Sequence, residues 1–144
     1  MRIAESPYND KYEKKVTTSS GDYYFFNKFI VSEISTGVHF NWEIGKEIIE
    51  LAYKHYGEDI RVAYISNRVN DYSVNAQDWL KFFNERHHLE AFAIVAYSKI
   101  GLMNVILEKI FVQTKIRKFD SLEAAITWVL RLDQLKKIEP EQNQ

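Results

Sequence analysis

Hydrophobic and polar positions along this 144-residue chain change their period several times, and each change marks an element. Residues 14–19 (KKVTTS) and 22–27 (DYYFFN) are rich in β-branched and aromatic side chains, and Ser20-Gly21 supplies a turn between them. Residues 29–34 (FIVSEI) alternate as a third strand that ends at Ser35-Thr36-Gly37. Three strands joined by short turns predict an antiparallel meander. A helix comes next, with Asn41 as N-cap, Glu43 at the positive end of its dipole and Gly57 just past its end. Ile44, Ile48, Leu51, Ala52 and His55 or Tyr56 fall at helical spacing and give it one apolar face.

From there strand and helix alternate. Residues 61–66 predict a strand and residues 75–86 a helix anchored by Trp79, Leu80 and Phe83. Residues 90–97 (EAFAIVAY) are nearly all apolar, as expected of a strand covered on both faces. Residues 99–111 predict a helix with Met103, Ile106, Leu107 and Ile110 as its apolar face. Residues 114–119 place Ile116 among charged neighbours, the pattern of an edge strand. Asp120 and Glu123 form a capping box for the last helix, which buries Leu122, Ala125, Ile126, Val129 and Leu130. The order βββαβαβαβα predicts an α/β fold with a mixed sheet and about four helices. Its alternating half requires right-handed crossovers and parallel strands.

Composition narrows the class. Residues 12–135 are expected to form one domain between flexible polar tails at 1–11 and 136–144. The net charge of −1 offers no global field for nucleic acid or an anionic membrane. With no cysteine, disulfides, thiolate metal sites and cysteine nucleophiles are excluded. No apolar run approaches the roughly 20 residues of a membrane span, so a cytoplasmic protein is expected. Aromatic residues make up 15%, read first as a bulky core. The other reading is an interface: a structural homodimer packed through Tyr23, Phe25 and Trp42.

Familiar chemistry is scarce. The five glycines are scattered, so neither a P-loop nor a dinucleotide fingerprint exists, and there is no GxSxG elbow or HExxH. No cofactor is expected. His87 and His88 are adjacent and diverge on a helix, so they read as a polar helix end rather than a metal pair. His55 sits in the last turn of its helix, and His39 reads as a packing residue. Lys115, Arg117 and Lys118 can contact an anion, although charges on an edge strand also guard against aggregation.

The richest polar segment is residues 66–73, at the carboxyl end of the fourth predicted strand, where open α/β sheets collect ligands. Ser66, Asn67, Arg68, Asp71, Tyr72 and Ser73 lead into a helix start at Asn75. Ser73 with that helix start can hold or carry a phosphate; the plainer reading is that Ser73 and Asn75 cap the helix. An enzyme of hydrolase or isomerase type would work through Asp71, Tyr72 and a histidine.

The element order, the segment VAYISNRVNDYSVNAQDW and the closing KIRKFDSLEAAITWVL, with Phe119, Ala125 and Trp128, resemble the STAS domains. Closer still is the resemblance to the SpoIIAA-like (STAS/SEC14-like) group of small bacterial single-domain proteins, across residues 14–132. Members that antagonise anti-sigma factors carry a phosphorylatable serine, usually after Asp, at the start of the helix following this strand. The nearest position here is Ser73, but Asp71 is one place too far, Tyr72 intervenes, and Val74-Asn75 replaces small residues. The resemblance implies a non-enzymatic regulatory or ligand-binding module. It would take a partner protein or a small lipid-like or anionic ligand through the loop after the fourth strand.

Overall fold

The computed structural model describes residues 1–138. Strands β1 (Lys14–Thr18), β2 (Gly21–Phe25) and β3 (Phe29–Ile34) form the expected meander, and a two-residue strand β4 (His39–Phe40) leads into helix α1 (Trp42–Tyr56). Then come β5 (Ala63–Arg68), a short β6 (Ser73–Val74), helix α2 (Trp79–Asn84) and β7 (Phe92–Ala96). Helix α3 (Lys99–Phe111), β8 (Ile116–Phe119) and helix α4 (Leu122–Ile138) complete the order. The main sheet runs β1-β2-β3-β5-β7-β8. It is antiparallel across β1, β2 and β3 and parallel from β3 to β8. An α/β fold with a mixed six-stranded sheet and four helices is what the pattern predicts; the small parallel pair β4-β6 is additional.

Alternation along the strands sorts side chains onto two faces. Val31, Ala63, Ile65, Ala93 and Val95 pack with Leu122, Ala125, Ile126 and Val129 of α4. Ile30, Ile34 and Val62 face Ala52 of α1, while Phe92 and Ile94 face Val105 of α3. Both faces of the sheet are therefore covered, and the apolar run of β7 follows from that.

Four features depart from the sequence reading. The opening segment, read as a loose tail, is built into the α4 face. Ile3 is fully buried in that cluster, and its N–H donates to Glu33 Oε2 at 2.8 Å. Ile3 and Tyr8 packed on that cluster, with hydrogen bonds that tie Met1, Arg2 and Ile3 to Asn67, Asn70 and Glu33, dock a polar stretch that has no periodicity of its own. The proposed tail at 136–144 lies partly in α4 and, from residue 139, outside the described residues.

The second helix is shorter than residues 75–86. A 3-10 turn (Ala76–Asp78) precedes six helical residues, and Arg86 with φ 64° ends the segment. Asp78 pairs with Lys81 of α2 through one oxygen and accepts the Trp42 N–H at 2.7 Å through the other, so it caps α1 together with Asn41. At α4 the cap is Ser121, whose Oγ accepts from the Ala124 N–H at 3.1 Å, while Asp120 pairs with Lys118.

The third helix is turned about its axis. Gly101, Val105 and Glu108 face the sheet, and Met103, Ile106, Leu107 and Ile110 face solvent. A helix apolar nearly all round does not declare its inner face by hydrophobicity. Here the Glu108 carboxylate, which needs buried partners, and Gly101, which lies against Ala96, decide it.

Candidate functional site

The polar segment 66–73 divides into three environments. The strand does not stop at Ser66 but continues through Arg68, so its side chains alternate between faces. Ser66, Asn67 and Arg68 are all buried, which excludes the exposed recognition loop the sequence suggests for them.

Ser66 and Arg68 point beneath α3. Arg68 Nη2 pairs with Glu108 Oε2 at 2.5 Å, and Arg68 Nε donates to Ser66 Oγ at 3.0 Å. Ser66 and the Tyr72 hydroxyl lie 2.8 Å apart, and the guanidinium sits over the Tyr72 ring at 5.7 Å. Trp79 Nε1 donates to the other Glu108 oxygen at 3.0 Å. Burial opposes the charge on Arg68, but Tyr72 and Glu108 beside it overcome that cost and hold its pKa above the ordinary value. Burial also raises the Tyr72 and Tyr64 phenols, so both stay neutral. Arg68 Nη1 is the one buried side-chain polar atom among the described residues without a hydrogen bond. This is an ion pair that ties α3 and α2 to the sheet, not an open anion site.

Asn67 points the opposite way, to the α4 face. Its amide donates to Met1 O at 2.8 Å and to Glu33 Oε2 at 2.9 Å, and its Oδ1 accepts from the Tyr97 hydroxyl at 2.9 Å. The start of the chain therefore occupies the carboxyl ends of β5 and β7 on this face, with the Met1 amine donating to Tyr97 at 3.1 Å.

Asp71 and Ser73 are exposed. Asp71 accepts from Ser98, the residue that caps α3, at 2.9 Å. Ser73 sits in β6, not at a helix start, and its hydroxyl meets His39 Nδ1 at 2.7 Å. Asn75 makes no side-chain cap. A phosphate seated by Ser73 on a helix N-terminus is thereby overturned: strand pairing with β4 holds this residue in extended backbone, and α2 begins beyond it. Lys115, Arg117 and Lys118 lie at the far edge of the sheet, where Lys118 pairs with Asp120 and Arg117 covers the Phe119 ring at 5.1 Å.

The histidines are engaged locally. His87 bonds the Tyr53 hydroxyl at 2.8 Å, His88 meets Glu90 at 3.1 Å, and His55 meets Glu13 at 2.9 Å. Among the described residues no group of His, Asp or Glu is arranged to hold a metal ion.

What the sequence did not announce is a cavity. Between α1, α2 and the β3–β5 part of the sheet lies a void of about 120 Å³. Ile30, Val62 and Tyr64 form its floor, Ile48 and Ala52 one wall, and Trp79 with Phe82 the other. Tyr64 stacks on Phe92 at 5.2 Å and Trp79 tilts against the same ring at 4.9 Å, so those walls are braced by neighbouring aromatics. Asn75, Asp78 and His88 supply the polar groups at its border. Of the candidate loop residues between Ser66 and Asn75 named from the sequence, Asn75 alone lines it.

With the sheet order and this cavity defined, the chain can be set beside known proteins. No family model matches it, and no curated protein does. Among solved structures it is similar to an uncharacterised protein of the DUF3478 family from Shewanella loihica PV-4, described as having a SpoIIAA-like fold. The match has a TM-score of 0.50 and 11% identity over 81% of this chain and 90% of that one. The fold is SpoIIAA-like. The element order, one of the grounds of the resemblance in the sequence, agrees with that fold, and at this identity the likeness extends to the fold alone.

Proposed function

We propose that this SpoIIAA-like protein is a non-catalytic binding module that takes a compact apolar ligand into the cavity between α1 and α2. The observation behind this reading is a void of about 120 Å³ walled by Ile48, Ala52, Val62, Trp79 and Phe82. An apolar cavity of this order accepts a benzene-sized group, and a few polar groups at its border orient a ligand's polar end. The loop after β5 then acts through its last residue, Asn75, at the border, and Trp79 of α2 stands in the wall. Catalysis finds little support: Asp71 contacts Ser98, Tyr72 is a buried neutral phenol, and neither lines the cavity.

The test is a thermal-shift and amide-NMR titration with indole, octanol and octanoate, run on the wild type and on Ala52→Phe, which fills the void. At a hundredfold excess over Kd a ligand stabilises by about 2.7 kcal/mol. A shift confined to the wild type, with resonance changes at Tyr64 and Trp79, is the expected result. No shift with any of the three, or an equal shift in Ala52→Phe, overturns the reading.

A further inference from the structure

Helix α3 carries a second feature, independent of the cavity. Six large aliphatic side chains, Ile100, Leu102, Met103, Ile106, Leu107 and Ile110, are each between 42% and 68% exposed. They sweep across roughly half the helix circumference at 100° per residue. Together they leave on the order of 600 Å² of contiguous apolar surface, at the upper end of the largest patch on a typical monomer. The sole acidic residue of the helix, Glu108, faces inward and is held by Arg68 and Trp79, so no carboxylate interrupts the stripe.

We propose that this stripe packs against the same stripe of a second copy, making a two-fold dimer through α3. Three observations favour a copy over other occupants. The patch is self-complementary in character, as a two-fold contact requires. Its size, doubled, reaches about 1,200 Å², where specific interfaces begin. The charges also fit an antiparallel pair: Lys99 opens the helix, and in that arrangement it lies beside the negative, carbonyl end of the partner helix. An anionic membrane is less well matched. Only Lys99 and Lys109 accompany the stripe, and the net charge of −1 adds no attraction. The aromatic interface expected from Tyr23 and Phe25 is closed off, because both are buried inside their own chain at 0% and 1% exposure.

Light scattering across micromolar to submillimolar concentration tests the dimer. The wild type is expected at twice the monomer mass, and Met103→Lys/Ile106→Lys at the monomer mass with native circular dichroism. Because the chain has no cysteine, Ile106→Cys gives a single reporter. Mild oxidation should cross-link it, while Lys46→Cys, on the exposed side of α1, should not. This conservative pair decides the matter even if the double lysine variant fails to fold. A wild type that is monomeric at every concentration overturns the proposal, as does a dimer that leaves Ile106→Cys uncross-linked. A monomer that floats with phosphatidylcholine–phosphatidylglycerol vesicles would assign the stripe to lipid instead and also overturn it. Ligand titration of the cavity is a separate readout, since Ile106 does not line it.

Discussion

Replacing Glu108 by Leu isolates the energetics of the buried pair beneath α3. In the native protein Glu108 accepts from Arg68 at 2.5 Å and from Trp79 Nε1 at 3.0 Å, at side-chain exposures of 4% and 2% for the two charges. Removing the carboxylate leaves a buried guanidinium whose remaining side-chain bond is to Ser66, and an indole N–H without its acceptor. Breaking one side of a buried pair typically costs 3–5 kcal/mol. At about 3 °C per kcal/mol for a chain of this size, Glu108→Leu should lower Tm by about 12 °C. The double variant Arg68→Met/Glu108→Leu removes both charges, including the Nη1 atom that has no hydrogen bond. It still strands the Trp79 N–H, worth roughly 1–3 kcal/mol, so it should be more stable than Glu108→Leu alone by about 2 kcal/mol. Urea unfolding of the four proteins closes the cycle. A Glu108→Leu loss below about 1 kcal/mol, or a double variant equal to the sum of the singles, refutes the idea that desolvated charge governs this contact.

Further outcomes follow from other parts of the molecule. Gly21 has φ +150° and an added Cβ would lie 2.4 Å from Glu33 O, so Gly21→Ala should cost more than about 2 kcal/mol by chemical denaturation. Gly45 is inside α1, and a Cβ there meets Phe40 and Trp42 at 3.8 Å, so Gly45→Ala should stabilise by about 0.5–1 kcal/mol in the same assay. Burial raises the phenols of Tyr23, to about 12, and of Tyr56, Tyr64 and Tyr72. In the unfolded chain these ionise near 10, so the stability they contribute is intact below that pH. It is lost as pH rises toward the folded values, by about 1.4 kcal/mol per unit for each phenol. Melting curves from pH ~8 to ~11 should show Tm falling only above ten, and a flat profile would contradict the burial of these hydroxyls.

The sheet was legible because its strands are β-branched, aromatic or apolar runs bounded by turn residues, and the helices because apolar positions recur at period 3.6 in α1 and α4. The site was not, because burial of polar groups has a different signature. β5 ends two residues later than predicted, at Arg68, which carries Asn67 and Arg68 into the buried alternation of a strand instead of a loop, and local propensity is indifferent to it. The clue available was charge on an inward stripe. Glu108 follows Gly101 and Val105 at helical spacing, and Glu33 follows Phe29 and Val31 at strand spacing, so each carboxylate sits on a face that its neighbours bury. The cavity had no linear trace at all. Its walls come from β3, α1, β5 and α2, and the void is what their side chains fail to fill.

The docking of Ile3 bears on how the chain matures during synthesis. Ile3 leaves the ribosome well before Ile126 of α4, yet the hydrophobic cluster that receives it includes Ile126. At typical elongation rates the two are separated by on the order of ten seconds. Throughout that interval the α4 side of the growing sheet is uncovered, and the opening segment has an incomplete seat. Closure of that side is therefore a late event that brings Ile3 and α4 together in one step, and any delay near α4 prolongs the exposure of Val31, Ile65 and Val95 to other nascent chains.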